Sequence, residues 1–147
     1  MSYYKIYYHI IFGTKHRKMT ISEENSQALY KYIHGIIKNK KCKLYRINGI
    51  ENHIHILTDL HPTIALSDFV KDIKVASSVW MKSTNLFPDF EGWQEGYGAF
   101  TYSSNEKDKI INYIKNQKEH HQTKTFIEEY KQLLIENNID FDEKYLL

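Results

Sequence analysis

Residues 42–58, CKLYRINGIENHIHILT, contain two short runs of strand-forming residues on either side of Gly49. The β-branched and aromatic residues in these runs predict strands over 42–48 and 52–58. So short a connection favours an antiparallel hairpin. The hairpin in turn predicts a mainly antiparallel sheet, around which the other elements of the chain are arranged.

The segment that precedes the hairpin predicts one more strand and one helix. Residues 3–12 alternate, and the two faces carry Tyr4, Ile6, Tyr8, Ile10 and Phe12 on one side and Tyr3, Lys5, Tyr7 and His9 on the other. This alternation is typical of a half-buried strand with an open aromatic and basic face. A helix then begins at Ser22, because apolar residues recur at helical spacing from Leu29 to Ile37.

One strand and three helices are predicted after the hairpin. They are a helix over 64–82, a strand over 92–102, and helices over 104–121 and 125–137. Ser103 and Glu106 have the spacing of a capping box at the start of the helix over 104–121. This order predicts an α+β fold, with a mainly antiparallel sheet of four or more strands and helices packed on one face, as in ferredoxin-like or RRM-like sandwiches.

Length and composition exclude several classes of protein. The chain of 147 residues is expected to form a single domain with an acidic C-terminal tail over 138–147. Its one cysteine, Cys42, excludes a disulfide framework and a multi-cysteine zinc site. No apolar run is long enough to span a bilayer, and no signal peptide is evident, so we expect a cytoplasmic protein without a membrane partner. The six glycines form no phosphate-binding loop, which predicts no nucleotide cofactor.

Basic charge is concentrated in the first third of the chain. Residues 1–50 carry ten Lys or Arg against two acidic residues, although the net charge of the whole chain is only +2. This asymmetry is compatible with a phosphate-backbone partner that contacts mainly the N-terminal third. A lysine-rich solvated surface explains the same charges equally well.

Two histidines in the hairpin are candidate metal ligands. His53 and His55 share one face of the predicted strand, while Ile54 and Ile56 point to the other. Two imidazoles on one face form a ready pair of metal ligands. Two histidines on a sheet face with no ligand role fit this short pattern as well. In either case we expect the face to be open, so replacing either histidine should cost little stability.

A tyrosine and a glutamine on a predicted helix add to this pair. Tyr113 and Gln117 lie four residues apart and therefore on one helical face. Ile110 and Ile114 flank this face, so we expect it to be turned toward the protein body. The same sector continues one turn later with His120 and His121. Taken alone, a tyrosine in such surroundings is more often simply a core residue.

Three segments together carry a family resemblance. They are HIH at 53–55, GWQEGYGAF at 92–100 and YIKNQKEHH at 113–121. In this order and at these separations they resemble the single-tyrosine HUH transposases, which serve small insertion sequences that move as single-stranded DNA, and their REP-associated relatives. The resemblance covers nearly the whole chain. It implies that His53 and His55 are metal ligands, that Gln117 is the third ligand and that Tyr113 is the nucleophile, and we expect His120 and His121 to support them.

The resemblance also implies an activity. Such an enzyme cleaves and rejoins single-stranded DNA at hairpin-bearing element ends through a covalent phosphotyrosine, and it acts as a homodimer. The resemblance further implies a bond from the tyrosine to the 5′ phosphate. Two imidazoles and an amide leave the full charge of a divalent cation for the phosphate, and the hard phosphate ligand favours Mg²⁺ or Mn²⁺. Candidates for contacts to the DNA are Lys5, Tyr7, His9, Arg17, Lys18, Lys71, Lys74 and Lys82.

Two other functions fit parts of the pattern. An RRM-like module could hold single-stranded nucleic acid on its aromatic side chains without any catalysis, although it would have no use for Tyr113 and Gln117. A metal-dependent phosphodiester hydrolase could use the two histidines with Asp59 or Glu51 as base. The hydrolase would leave no adduct between protein and DNA, which distinguishes it from the transposase.

Overall fold

Four strands and five α-helices follow one another in residues 1–146, the part of the chain that this computed structural model describes. In chain order they are β1 (Tyr8–Gly13), α1 (Glu23–Asn39), β2 (Leu44–Ile50), β3 (His53–Thr58), α2 (Leu66–Ser83), β4 (Gly98–Phe100), α3 (Lys107–Lys115), α4 (Gln117–His120) and α5 (Phe126–Glu136). The predicted tail over 138–147 contains one short 3-10 helix, Glu143–Tyr145. Its last residue lies outside the described residues.

The sheet has the order β2-β3-β1-β4, and all neighbouring strands are antiparallel. The predicted hairpin is confirmed as β2 and β3, but the chain turns at Glu51 and Asn52 instead of at Gly49. Gly49 lies within β2 opposite Ile54, where a β-carbon would collide with the carbonyl oxygen of His53. The glycine therefore serves a close approach of two backbones and does not make the turn.

Helices cover both faces of the sheet. The α+β class with a mainly antiparallel four-stranded sheet is confirmed, but the expected packing of helices on one face is corrected. Ile10, Phe12, Ile54 and Ile56 pack in one core with α1 and α2. The opposite face is covered by α3, α4 and α5, which pack on residues such as Ile11 and Leu57. The polar residues on that face suggested solvent, whereas they are buried against one another.

Several element boundaries differ from the prediction. The first strand begins only at Tyr8, and the side chains of Tyr3, Tyr4 and Ile6 are exposed. The strand predicted over 92–102 is reduced to the three residues of β4. The helix predicted over 104–121 begins with the expected capping box and is then interrupted at Asn116, which separates α3 from α4. The helices α1, α2 and α5 are confirmed within about two residues.

Replacing glycine by alanine is expected to have opposite effects on stability at two positions. Gly49→Ala is expected to lower the free energy of unfolding by on the order of 1–3 kcal/mol, because the added methyl group meets the backbone of His53. Gly35 lies exposed within α1, and no atom would contact a β-carbon there. Gly35→Ala should therefore raise the free energy of unfolding by roughly 0.5–1 kcal/mol. Chemical denaturation of both variants checks this pair, and equal effects would contradict the described register.

No α-helix within residues 1–146 has both the length and the apolar character needed to cross a membrane.

Candidate metal and tyrosine site

The two histidines of the HIH motif lie on the buried face of β3, and neither is exposed. This corrects the expectation of an open face. The ring of His53 stacks on Phe126 at the start of α5, with 4.0 Å between centroids. Alternation along β3 puts the two rings side by side, 5.1 Å apart. Replacing either histidine will therefore cost stability as well as a ligand atom.

Hydrogen bonds orient the imidazole rings so that their Nε2 atoms point to one centre. His53 Nδ1 donates to Asn52 Oδ1 at 2.9 Å. His121 Nδ1 donates to the carbonyl oxygen of Lys124 at 2.7 Å. His55 Nδ1 contacts His9 Nε2 at 2.8 Å. With the first two Nδ1 atoms protonated, the Nε2 atoms of His53 and His121 carry free lone pairs, which is the usual preparation of histidine for a metal.

A buried carboxylate from α5 stands in the middle of these rings. Glu129 is 4% exposed. Its Oε1 atom lies 3.1 Å from His55 Nε2, 3.3 Å from His53 Nε2 and 3.2 Å from His121 Nε2. Within the described residues, His53, His55 and Glu129 form a cluster that could hold a metal ion.

The predicted tyrosine and glutamine reach the same centre. Gln117 Oε1 lies 3.1 Å from His53 Nε2 and 3.1 Å from His121 Nε2. Gln117 Nε2 donates to Glu129 Oε2 at 3.0 Å, and the hydroxyl of Tyr113 donates to the same oxygen. All these contacts are made within one chain, across the interruption at Asn116. The core-facing position of the tyrosine is explained by Ile110 and Ile114, which are both buried.

The chemistry of this set of ligand atoms fits a divalent cation. Two imidazole nitrogens, a carboxylate oxygen and an amide oxygen face one another with their lone pairs at 3.1–3.3 Å. Ligands at right angles around Mg²⁺, each about 2.1 Å from the ion, are separated by about 3 Å, which agrees with these distances. A cation between them removes the mutual repulsion of the lone pairs. We conclude that the residues present fit such an ion.

Burial and the central carboxylate shift the acidities of this site. Burial lowers the pKa of His53 to about 4, although Glu129 opposes this effect. Burial alone would raise the pKa of Glu129, but its close contacts with the rings of His121, His53 and His55 hold this pKa well below its usual range. Burial, followed by the charge of Glu129, raises the pKa of Tyr113 above its ordinary value. The tyrosine is therefore a neutral phenol that donates to a carboxylate.

An open cavity gives access to the tyrosine. It has a volume of about 280 Å³ and is lined by Tyr113, His120, Lys124 and Glu129, among others. The ring of His120 lies 4.7 Å from that of Tyr113, so this histidine borders the tyrosine, whereas His121 contacts the centre. The cavity therefore opens onto Tyr113 and Glu129.

Sequence reasoning missed Glu129, Asn52 and the role of His9. Glu129 lies beside Phe126, Tyr130 and Leu133 on the apolar stripe of α5. An acidic residue on a buried stripe was the available signal, because such a charge needs partners. Nothing local in the sequence indicated that those partners are the histidines of β3.

Three of the eight candidate DNA contacts are buried or already form hydrogen bonds within the protein. Tyr7 and His9 are 2% and 0% exposed, so they are not available to DNA. Tyr7 packs on Tyr45, and His9 orients His55. Lys74 Nζ donates to the carbonyl oxygens of Gln94 and Gly96, and burial lowers its pKa to about 8. The predictions for Tyr7 and His9 are corrected, whereas a contact of Lys74 to DNA stays a prediction.

The other five candidates remain accessible. Lys5 and Lys18 are exposed, and Arg17 is half-buried. Lys18 pairs with Glu91 on the surface. Lys71 and Lys82 are exposed on α2, which covers the face of the sheet opposite to the histidines. The other three candidates lie next to β1 in the chain: Lys5 precedes this strand, and Arg17 and Lys18 follow it.

Comparison with known proteins identifies relatives of this chain. A family described as "Transposase IS200 like" matches residues 2–117. The ISDra2 transposase TnpA of Deinococcus radiodurans is 27% identical over 119 residues, which cover 78% of this chain and 85% of that protein. The transposase for insertion sequence element IS200 of Salmonella typhimurium is 29% identical over 119 residues, which cover 76% of each.

Solved structures show the same fold. One, described as a transposase from Deinococcus radiodurans R1, is 29% identical with a TM-score of 0.63 and covers 79% of this chain and 93% of its own. A REP-associated tyrosine transposase bound to a REP hairpin has a TM-score of 0.62 at 15% identity, covering 82% of this chain and 74% of its own. The second similarity concerns the fold alone.

Proposed function

Since this chain belongs to the IS200-like transposase family, we propose that it cleaves and rejoins single-stranded DNA through a covalent bond to Tyr113. One observation carries the proposal. The hydroxyl of Tyr113 and the side chain of Gln117 meet His53, His55 and Glu129 at a single buried centre beside an open cavity. A module that only binds nucleic acid would not need this convergence.

The proposed metal ligands are His53 Nε2, His55 Nε2 and Gln117 Oε1, to which Glu129 Oε1 adds a carboxylate. A divalent cation held there, Mg²⁺ or Mn²⁺, supplies positive charge beside the scissile phosphate. The carboxylate changes the expected neutral ligand set, because it cancels part of that charge. His9 and Asn52 hold the rings of the two strand histidines in their ligand orientation.

In the proposed reaction, the Tyr113 oxygen forms a bond to phosphorus as the bond to the leaving oxygen of the DNA strand breaks. Glu129 Oε2 already accepts the hydrogen bond of this hydroxyl and is the atom placed to take its proton. The phosphotyrosine retains the energy of the broken phosphodiester, so rejoining requires no nucleotide cofactor. The leaving oxygen gains a proton, in balance with the one that Glu129 takes from Tyr113, and the resulting hydroxyl is the group that attacks in the reverse step.

The proposed substrate is single-stranded DNA with a hairpin near each element end, and the proposed assembly is a homodimer of this single domain in the cytoplasm. One structural relative is described as bound to a REP hairpin, which supports a hairpin partner. Lys5, Arg17 and Lys18 are the accessible cations that we propose for backbone contacts.

A cleavage assay tests the proposal against its alternatives. The purified protein is incubated with labelled single strands from both flanks of its own gene, with Mg²⁺ or Mn²⁺, and the products are separated under denaturing conditions. We expect a labelled band that is shifted by the mass of the protein. Cleavage without an adduct would establish the hydrolase instead, and binding without cleavage would establish the RRM-like module. Duplex DNA of the same sequence serves as the control.

Removal of metal is expected to stop this reaction. A chelator should lower the rate of adduct formation at least about a hundredfold, since charge stabilisation by a metal contributes several kcal/mol to such a transition state. Addition of excess Mn²⁺ should restore the rate, which shows that the protein survived the treatment. Undiminished cleavage in the presence of the chelator would contradict a metal-assisted mechanism.

A further inference from the structure

A second polar cavity lies at the outer edge of the sheet, between α1, the edge strand β2 and the junction of α3 and α4. Its volume is about 340 Å³, which lies within the range of roughly 300–1,000 Å³ found for small-molecule sites. The side chains that matter for its chemistry are Glu23, Tyr30, Arg46, Glu51, Lys115 and Lys118. The function proposed above makes no use of this cavity.

Arg46 is the unusual member of this set. Its Nε atom is buried and has no hydrogen-bond partner. Within residues 1–146, no carboxylate lies within salt-bridge distance of its guanidinium group. A buried donor without a partner is costly, and for a charged group the cost is larger. An anionic ligand in the cavity would give this guanidinium group a partner of opposite charge.

The other charges in the cavity leave an excess of positive charge. Lys118 pairs with Glu23 on the surface, and both side chains are largely exposed. Lys115 forms no ion pair with any described residue, and Glu51 is the remaining acidic side chain. Three cations against two carboxylates, with the arginine unpaired, favour an anion that can accept several hydrogen bonds.

The cavity is lined by elements that neighbour the metal and tyrosine site. Arg46 and Asn48 pair with Leu57 and His55, so their side chains lie on the same face of the sheet as the metal-site histidines. Asn48 Nδ2 donates to the carbonyl oxygens of Ile114 and Lys115, at 3.2 and 3.0 Å. The strand that carries Arg46 is thus the direct neighbour of β3, at the usual strand spacing of about 4.8 Å.

We propose that this cavity binds a backbone phosphate of the single-stranded DNA substrate, together with its nucleotide, a few nucleotides from the phosphate that Tyr113 attacks. The inference rests on the proposed single-strand activity. Arg46 supplies the planar donor pair for the phosphate, and Lys115 adds charge at the rim. Held there, the strand has a fixed register relative to the tyrosine, so Arg46 is a positioning residue.

The test combines the variant Arg46→Met with DNA in which single phosphates are replaced by uncharged methylphosphonates. Affinity for the single-stranded flanks is measured over a range of salt concentrations, with Lys31→Met, an exposed lysine of α1, as the matched control. We expect Arg46→Met to weaken binding about tenfold and to reduce the salt slope by about 0.7, the contribution of one phosphate contact to a single strand. Lys31→Met should leave both unchanged.

A methylphosphonate scan then locates the phosphate. Neutralising one phosphate at a time should weaken binding to the unaltered protein at one or two positions, and the same positions should have no effect on Arg46→Met. Lys115→Met repeats the test if Arg46→Met unfolds at a lower temperature. Equal DNA affinities of all variants would overturn the proposal. DNA binding that does not change when inorganic phosphate is added as a competitor would overturn it too. Adduct formation by Arg46→Met at saturating DNA separates this outcome from a failure of the proposed function.

Discussion

Tyr113→Phe is expected to abolish the covalent adduct while the protein still folds and binds single-stranded DNA. The substitution removes the only atom that we place for attack on phosphorus, and loss of a nucleophile lowers rates by at least about a thousandfold. One hydrogen bond to Glu129 is lost, which costs about 1 kcal/mol. Gln117 and the three histidines continue to contact the carboxylate.

The matched control for this variant is Tyr45→Phe. Tyr45 is half-buried on β2, and its ring packs on Tyr7 without a role for its hydroxyl at the site. Adduct formation is followed on denaturing gels and DNA binding by fluorescence anisotropy. Tyr45→Phe should behave like the unaltered protein in both. An adduct that persists in Tyr113→Phe would assign the nucleophile to another residue.

Glu129→Gln is expected to weaken metal binding at least about tenfold, because a carboxylate that binds a metal, or that orients its ligands, contributes this much or more to metal affinity. The amide keeps the size of the side chain and can still accept a hydrogen bond from Tyr113, so the fold should persist. The amide is neutral, so the variant loses the negative charge that attracts a cation most strongly to this centre. Metal binding is measured as the rise in unfolding temperature on addition of Mn²⁺, and this rise should be smaller for the variant. For the unaltered protein, Mn²⁺ at a hundredfold excess over Kd should stabilise the fold by about 2.7 kcal/mol.

Glu136→Gln is the control for this measurement, since Glu136 is exposed at the end of the same helix, where it accepts a hydrogen bond from Gln132. Its response to Mn²⁺ should equal that of the unaltered protein. If Glu129→Gln responds equally too, the carboxylate is not a ligand, and the metal site reduces to His53, His55 and Gln117. This measurement requires no DNA and is therefore independent of the reaction.

The residues close together in sequence were the ones that sequence reasoning placed correctly. The hairpin follows from two strand-forming runs with a short connection, and the capping box at Ser103 and Glu106 is a local pattern. The alternation around His53 and His55 indicated correctly that both rings share a face. What it could not indicate was whether that face is open, because the helices that cover it come from the last third of the chain.

Glu129 likewise could not be assigned to the site from the sequence, because its partners lie far from it along the chain. It follows His55 by 74 residues, and only tertiary packing of α5 on the sheet brings the two together. The three segments that carry the family resemblance end at His121, so they gave no reason to include α5 in the site either. Polar residues such as His9 were assigned to solvent for a related reason. Their hydrogen-bond partners, which make burial acceptable, lie on other elements.

The most direct test of the central claim is to find the residue that carries the DNA. The adduct is digested with nuclease and trypsin, and the peptides are analysed by mass spectrometry. Cleavage after Lys109 and Lys115 releases residues 110–115, IINYIK, in which Tyr113 is the one tyrosine. We predict that this peptide carries the nucleotide through a phosphate. A nucleotide on any other peptide, or none on a protein that has cleaved its DNA, would contradict the account.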